Sequence, residues 1–113
     1  GQGGPVDLEE ARKYYKKSAD QGNVEAQQKY AIMCNFAQGG PEDLETGRKY
    51  HKLAAEQGLS GGKSCYAYMC VNQEGGPLDL KIAKQYYLEL IAENFPEAQD
   101  DYDAMVALYP TSA

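Results

Sequence analysis

The sequence predicts an all-α solenoid, in which antiparallel helix pairs stack in a right-handed superhelix with one pair every 36 residues. The first observation is that Gly-Gly-Pro occurs at residues 3–5, 39–41 and 75–77, always 36 residues apart. The second is that residues between these copies keep the same step, in five sets: Asp7, Asp43, Asp79; Leu8, Leu44, Leu80; Tyr14, Tyr50, Tyr86; Tyr30, Tyr66, Tyr102; Met33, Met69, Met105. A single unit of this size cannot bury its own apolar face, so neighbouring units stack and bury it together.

Capping residues and glycines set the predicted helix boundaries. Asn23 is a good N-cap for a helix that continues to about residue 37, and Gly39 then offers a left-handed C-cap before Pro41. Asp43 caps the next helix, which Gly58 ends. The same logic predicts six helices, near residues 7–21, 23–37, 43–57, 59–73, 79–93 and 96–109.

The predicted helices alternate between two types. We call the helix that follows Asn23 an A helix and the helix that follows each Gly-Gly-Pro a B helix, so the order is B, A-B, A-B, A. The chain is expected to be one domain, residues 1–113, with units of about 1–36, 37–72 and 73–108. It begins inside a repeat without a methionine, so we expect a fragment of a longer array.

Helical periodicity assigns a packed side to each helix. On the first B helix these residues are Leu8, Ala11, Tyr15, Ser18 and Ala19, and the charged opposite side contains Glu9, Arg12, Lys13, Lys16 and Asp20. On the first complete A helix the packed residues are Ala26, Tyr30, Met33, Cys34 and Ala37, and the opposite side contains Glu25, Gln28, Ile32 and Asn35. Eight tyrosines are expected in the core: Tyr14, Tyr15, Tyr30, Tyr50, Tyr66, Tyr86, Tyr87 and Tyr102. Because the first B helix lacks an A partner, we expect this end to fray or to self-associate.

Composition excludes several classes of function. The net charge of −6 disfavours nucleic-acid partners and anionic membrane surfaces, which both need a basic face. No apolar run approaches the roughly 18 residues of a membrane span. Three cysteines without a paired pattern favour a reducing compartment such as the cytoplasm. Cys34 and Cys70 are one repeat apart and are expected to be small buried hydrophobes.

The motifs that could support catalysis have simpler interpretations. Residues 58–64 end in Gly-Lys-Ser, but a phosphate-binding loop needs a glycine where Gln57 stands and a preceding strand. His51, the single histidine, occupies a tyrosine position of the repeat and is expected to be a packed ring. We therefore predict no enzyme, no metal and no cofactor. An acidic cluster in the last helix is expected to be a polar terminal surface, with a binding role left open: Glu97, Asp100, Asp101 and Asp103.

The repeat resembles Sel1-like repeats, a subclass of tetratricopeptide-like helical repeats. Ala54-Ala55-Glu56-Gln57-Gly58 resembles the family's B-helix ending, and Ala26-Gln27 its A-helix opening. The sequence departs from the family pattern where Leu-Gly is usual on the A helix, since Tyr30-Ala31 stands there. The resemblance implies a tetratricopeptide-like solenoid that acts as an adaptor for protein partners.

The A-helix side that faces away from the B helices is the predicted binding groove. In tetratricopeptide-like arrays the A helices line the concave surface, where Tyr68 aligns with Ile32 and Ala104. The predicted groove residues are Gln28, Ile32, Asn35, Ser64, Tyr68 and Val71. Aromatic side chains among polar ones are typical of interface hot spots, so we predict a scaffold that binds a protein or peptide. Two alternatives remain: Ile32 and Tyr68 pack between repeats and the chain is a structural spacer, or the groove is an active site.

Overall fold

The computed structural model describes residues 7–113, which fold as six α-helices and contain no strand. The helices are α1 (Leu8–Asp20), α2 (Val24–Asn35), α3 (Leu44–Glu56), α4 (Ser60–Val71), α5 (Leu80–Ala92) and α6 (Ala98–Leu108), followed by a 3₁₀ turn at Pro110–Ser112. Each helix packs mainly against its neighbours in sequence, which gives an elongated body of 49 × 26 × 26 Å. The predicted all-α solenoid of helix pairs is confirmed, with α1, α3 and α5 as B helices and α2, α4 and α6 as A helices. Among residues 7–113, no helix has the length and apolar character needed to span a bilayer.

Side-chain caps begin four of the helices, as predicted. The carboxylates of Asp7, Asp43 and Asp79 each accept a hydrogen bond from the backbone N–H three residues later, at 3.0, 3.0 and 3.2 Å. Asn23 does the same for α2 at 2.8 Å. These bonds satisfy N–H groups that lack a partner inside the helix. Capping therefore accounts for the three aspartates that stand in register.

The A helices end earlier than predicted, and the predicted role of Gly39 as a C-cap was wrong. Helix α2 ends at Asn35, and the left-handed residue of its C-terminal turn is Ala37, with φ of 53°. The N–H of Gln38 then donates to the Met33 carbonyl at 2.9 Å, which is the bond of a Schellman motif. Ala37 is consequently exposed and is not part of the packed side.

The first glycine of the Gly-Gly-Pro loop serves close packing between loop and helix. Gly39 and Gly75 both have positive φ, of 72° and 69°. A Cβ at either position would overlap the carbonyl oxygen of Leu8 or Leu44, at the start of the preceding B helix. Only glycine combines this backbone conformation with this approach. The two described loops follow equivalent helices, and the copy at residues 3–5 lies outside the described residues.

The second glycine makes room for an arginine of the B helix. Arg48 is only 8% exposed and donates to the carbonyls of Met69, Glu74 and Pro77, at 3.4, 3.2 and 2.6 Å. Arg12, one repeat earlier, makes equivalent bonds to the Met33 and Gln38 carbonyls. The assignment of Arg12 to a solvent-facing side was therefore wrong. Each guanidinium group joins the end of an A helix to the loop that follows it, because it donates to a carbonyl of each.

The core consists of tyrosines and small residues between successive helices. Tyr30 packs edge-on against Tyr50, with ring centroids 4.8 Å apart, and Tyr66 packs in the same way against Tyr86 at 6.1 Å. Cys34 and Cys70 are fully buried, as predicted. Tyr14 was expected in the core but is 67% exposed. Its register equivalents, Tyr50 and Tyr86, pack against the A helix that precedes their own B helix, and no described helix precedes α1.

Candidate partner-binding cleft

A cleft of about 620 Å³ lies where the A helices come together. Helices α2 and α4 and the start of α6 form its walls, and two residues from α3 complete it. The lining residues are Ile32, Asn35, Phe36, Glu42, Leu44, His51, Ser64, Cys65, Tyr68, Met69, Glu74, Glu97 and Asp101. Apolar side chains dominate the interior, and carboxylates are the only charged groups that line it. Its volume accommodates several side chains of a bound peptide.

Four of the six predicted groove residues line this cleft. Ile32 and Asn35 come from α2, and Ser64 and Tyr68 come from α4. Tyr68 is 53% exposed, so its ring is available to another molecule. Ala104, which the repeat register aligns with Tyr68, does not line the cleft.

The other two predicted groove residues, Gln28 and Val71, lie elsewhere. Gln28 lies beside the cleft, where its amide contacts two residues that line it, His51 and Cys65. Val71 is buried in the C-terminal part of the core, in the cluster that contains Ala83 and Tyr87. Val71 therefore supports the cleft from within and is not on its surface.

A chain of partly buried hydrogen bonds forms the base of the cleft and joins the three helices α2, α3 and α4. Gln28 donates through Nε2 to the Cys65 Sγ at 3.5 Å, and its Oε1 lies 2.7 Å from the His51 Nδ1. The Asn35 Nδ2 lies 3.0 Å from the His51 Nε2. Because Gln28 Oε1 can only accept and Asn35 Nδ2 can only donate, this arrangement requires the Nδ1–H tautomer of neutral His51. Both ring nitrogens of His51 thus have hydrogen-bond partners without a charge on the ring, whereas the Asn35 Oδ1 is buried and has no hydrogen-bond partner among the described residues.

Burial keeps His51 neutral. The ring is 1% exposed, and desolvation lowers the pKa of His51 from 6.5 to about 4. Gly47 contributes to this environment, since a Cβ there would overlap the Asn35 side chain. This explains why α3 has glycine where α1 and α5 have Ala11 and Ala83. The cost of about 1 kcal/mol for glycine in a helix is offset by the room it leaves for the network.

Carboxylates surround the apolar part of the cleft. Glu42 and Glu74 come from the loops after α2 and α4, and Glu97 and Asp101 come from the start of α6. Burial and the neighbouring charges of Glu97 and Asp100 raise the pKa of Asp101. No ion pair or side-chain hydrogen bond within residues 7–113 involves any of the four carboxylates lining the cleft.

The two reactive groups that line the cleft, the Cys65 thiol and the His51 ring, both bond to Gln28. Desolvation raises the pKa of the Cys65 thiol, which disfavours the thiolate that a nucleophile requires. Gln28 separates this thiol from the His51 ring, so no base is bonded to it. Within residues 7–113, no group of three or more His, Cys, Asp or Glu side chains is placed to hold a metal ion.

Sequence reasoning missed the network because its members were considered one at a time. His51 was expected to be packed, and Gln28 and Asn35 were expected to face a groove, but their contact with each other was not predicted. One signal was present in the sequence. The residues one repeat step of 36 after Asn35, Gly47 and His51 are Val71, Ala83 and Tyr87. Asn35, Gly47 and His51, which all differ from the residues one repeat later, lie next to one another in the structure.

Comparison with known proteins is consistent with this architecture. Several solved structures share the fold, and two of them are described here. One is a Sel1 repeat protein from Oxalobacter formigenes, 25% identical over 88% of this chain, with a TM-score of 0.81. The other is c5321, described as a protective antigen present in uropathogenic Escherichia coli strains displaying an SLR fold, 29% identical over 79% of this chain, with a TM-score of 0.75.

These similarities cover only part of the other proteins. The chain spans 41% of the Oxalobacter protein and 19% of c5321. A comparison with curated proteins found no match. The sequence profile of the Sel1 repeat matches residues 1–23, 24–59 and 65–94, which together make up most of the chain. The chain therefore belongs to the Sel1 repeat family.

Proposed function

We propose that this chain is a protein-interaction module that presents the cleft between its A helices to a segment of a protein or peptide partner. The observation that carries the proposal is the exposure of Tyr68 inside an apolar cleft. A half-exposed tyrosine that lines the cleft together with Ile32 and Met69 combines a large rigid surface with a hydroxyl group. Such residues provide much of the binding energy at protein interfaces.

The base of the cleft favours binding because it is held in place before a partner arrives. His51, Gln28 and Asn35 connect α2 to α3, and Gln28 connects α2 to α4 through Cys65. A wall that is already ordered loses less conformational entropy on binding than a flexible one. These partly buried hydrogen bonds thus support recognition by holding the wall of the cleft in place.

Two other functions receive less support. A structural spacer has no need of a cleft with an apolar interior, and here Phe36, Leu44 and Tyr68 line one. An enzyme needs a nucleophile or acid–base group with a suitable pKa, whereas Cys65 and His51 both have their uncharged forms favoured by burial. A scaffold that binds without catalysis fits these observations better.

The test is a tyrosine deletion with a matched control. Peptides are selected from a random displayed library against the purified chain, and their affinities are measured by fluorescence anisotropy. Tyr68→Ala should weaken these affinities at least tenfold, which corresponds to about 1.4 kcal/mol. Tyr14→Ala removes another exposed tyrosine, on α1 outside the cleft, and should leave them unchanged.

Melting curves of both variants complete the test. Because Tyr68 is half exposed, its loss should shift the melting temperature by no more than about 2 °C. Equal weakening by Tyr14→Ala and Tyr68→Ala would place the binding surface elsewhere. Unfolding of Tyr68→Ala, with normal binding by the fraction that remains folded, would make Tyr68 a packing residue and contradict the proposal.

A further inference from the structure

The charge of the cleft indicates which kind of segment it receives. We propose that the partner segment is a basic peptide, with an apolar side chain that packs on Tyr68 and with lysine or arginine side chains on either side of it. This inference rests on the proposed function and adds the chemistry of the partner. It is argued from the arrangement of Glu42, Glu74, Glu97 and Asp101 around the cleft.

The first argument is that the carboxylates lining the cleft have no counter-ion within the described residues. A contrast is available on the opposite side of α4, where Lys63 bonds to Glu89 at 3.0 Å and to Glu93 at 2.8 Å. Those bonds to Lys63 lower the pKa of both glutamates. At the cleft the pKa shift has the opposite direction, because burial and neighbouring negative charges raise the pKa of Asp101. A cation from a partner would supply the cleft carboxylates with a positive counter-charge, as Lys63 does for Glu89 and Glu93.

The second argument is that the carboxylates lie at two opposite ends of the cleft. The A helices run in the same direction, since each is separated from the next by one antiparallel B helix. Glu97 and Asp101 are at the N-terminal end of α6, whereas Glu42 and Glu74 follow the C-terminal ends of α2 and α4. Tyr68 lies within α4, between these two ends.

The length of α4 then sets the spacing of the basic residues. This helix has 12 residues and is therefore about 18 Å long, at about 1.5 Å per residue. An extended peptide advances about 3.3 Å per residue, so about five residues cover this distance. We expect two basic residues about four to six positions apart, with an apolar residue between them. Opposite charges at both ends would also fix the position of the peptide along the cleft.

The experiment begins with the peptides selected from the random library. A synthetic series of 12-residue peptides then keeps one leucine at the centre and places lysine, glutamine or glutamate at the two flanking positions. Anisotropy is measured for each peptide at about 20 mM and about 150 mM salt, since screening weakens exposed charge pairs. The lysine peptide should bind about tenfold more tightly than the glutamine peptide at low salt, and the glutamate peptide should bind more weakly than both.

Variants of the protein distinguish the effect of the cleft carboxylates on peptide preference from the effect of the overall negative charge. Glu97→Gln with Asp101→Asn should reduce the preference for the lysine peptide about three- to tenfold. Glu25→Gln with Glu45→Gln removes two exposed charges outside the cleft and should leave the preference intact. If both double variants lost the preference for the lysine peptide equally, the preference would depend only on net charge and the inference would be wrong.

The two proposals can fail separately. If the library yields peptides that depend on Tyr68 but are not enriched in lysine and arginine, the cleft is a binding site and only the basic partner is wrong. If no peptide binds in a manner that depends on Tyr68, the proposed function is wrong and the inference with it. Selected peptides with basic residues four to six positions apart, which lose affinity in Glu97→Gln with Asp101→Asn, would support both.

Discussion

The buried His51 makes the stability of the fold depend on pH between about 4 and 6.5. Its pKa is about 4 in the folded chain, compared with an ordinary value of 6.5. The unfolded chain therefore binds a proton at a pH where the folded chain does not, so stability rises with pH across this window. The stabilisation is complete above pH 6.5 and is lost as the pH falls towards 4.

The size of the effect follows from the two pKa values. The difference of about 2.5 pH units corresponds to about 3 kcal/mol when titration is complete. Between pH 7 and pH 5 the expected loss in the free energy of unfolding is about 2 kcal/mol, because the unfolded chain is mostly protonated at pH 5 and the folded chain is not. His51 is the single histidine, so no other imidazole contributes to the change.

The assay is urea denaturation followed by circular dichroism at pH 7, 6 and 5, with a reductant to keep the three thiols reduced. His51→Gln is the control, since it removes the titrating group and retains polar atoms near Gln28 and Asn35. The parent chain should lose about 2 kcal/mol more than this variant between pH 7 and pH 5. Parallel pH dependence in the two proteins would refute the reasoning, since His51 would then titrate alike in the folded and unfolded chains.

Two further predictions concern the Gly-Gly-Pro loops. Arg48→Ala should cost about 3 kcal/mol in urea denaturation, because it removes three hydrogen bonds from a guanidinium group that is 8% exposed, whereas Arg12→Ala, at the less buried equivalent position, should cost about 1 kcal/mol. Equal costs would show that burial of the guanidinium is not decisive. Gly75→Ala should lower the melting temperature more than Gly58→Ala, because both residues have positive φ but only Gly75 lies against the Leu44 carbonyl. Similar melting temperatures would mean that the loop moves to accommodate the methyl group.

The fold was predictable because its determinants are local and are repeated. Asp43 and Asn23 cap helices through bonds to residues three positions away, which a single sequence shows directly. The end of the A helix was not predictable in the same way. Its left-handed residue is Ala37, although glycine is available two positions later, and the helix end is held by bonds from Arg12 on another helix. Contacts between distant positions thus override the local preference for glycine.

The cleft was predicted less completely because a groove depends on which neighbours the side chains meet. Tyr68 and Ile32 were assigned from helical geometry, and both line the cleft. Val71 was assigned by the same geometry but is buried, because the apolar ring of Tyr87 stands where the preceding unit has His51. A residue at one register position therefore faces different surroundings in successive units.

Departures from the repeat are consequently more informative about function than the repeat itself. The residues that stay in register, such as Asp43 and Met105, cap helices and fill the core, as they would in any unit of the array. His51 and Asn35 differ from the residues at the equivalent positions of the next repeat. They are bonded to each other and lie in the wall of the cleft. A polar group introduced into a stacked interface is costly unless its partners change with it. The polar residues at positions 35 and 51 lie together at the cleft, which is the surface that we propose binds a partner.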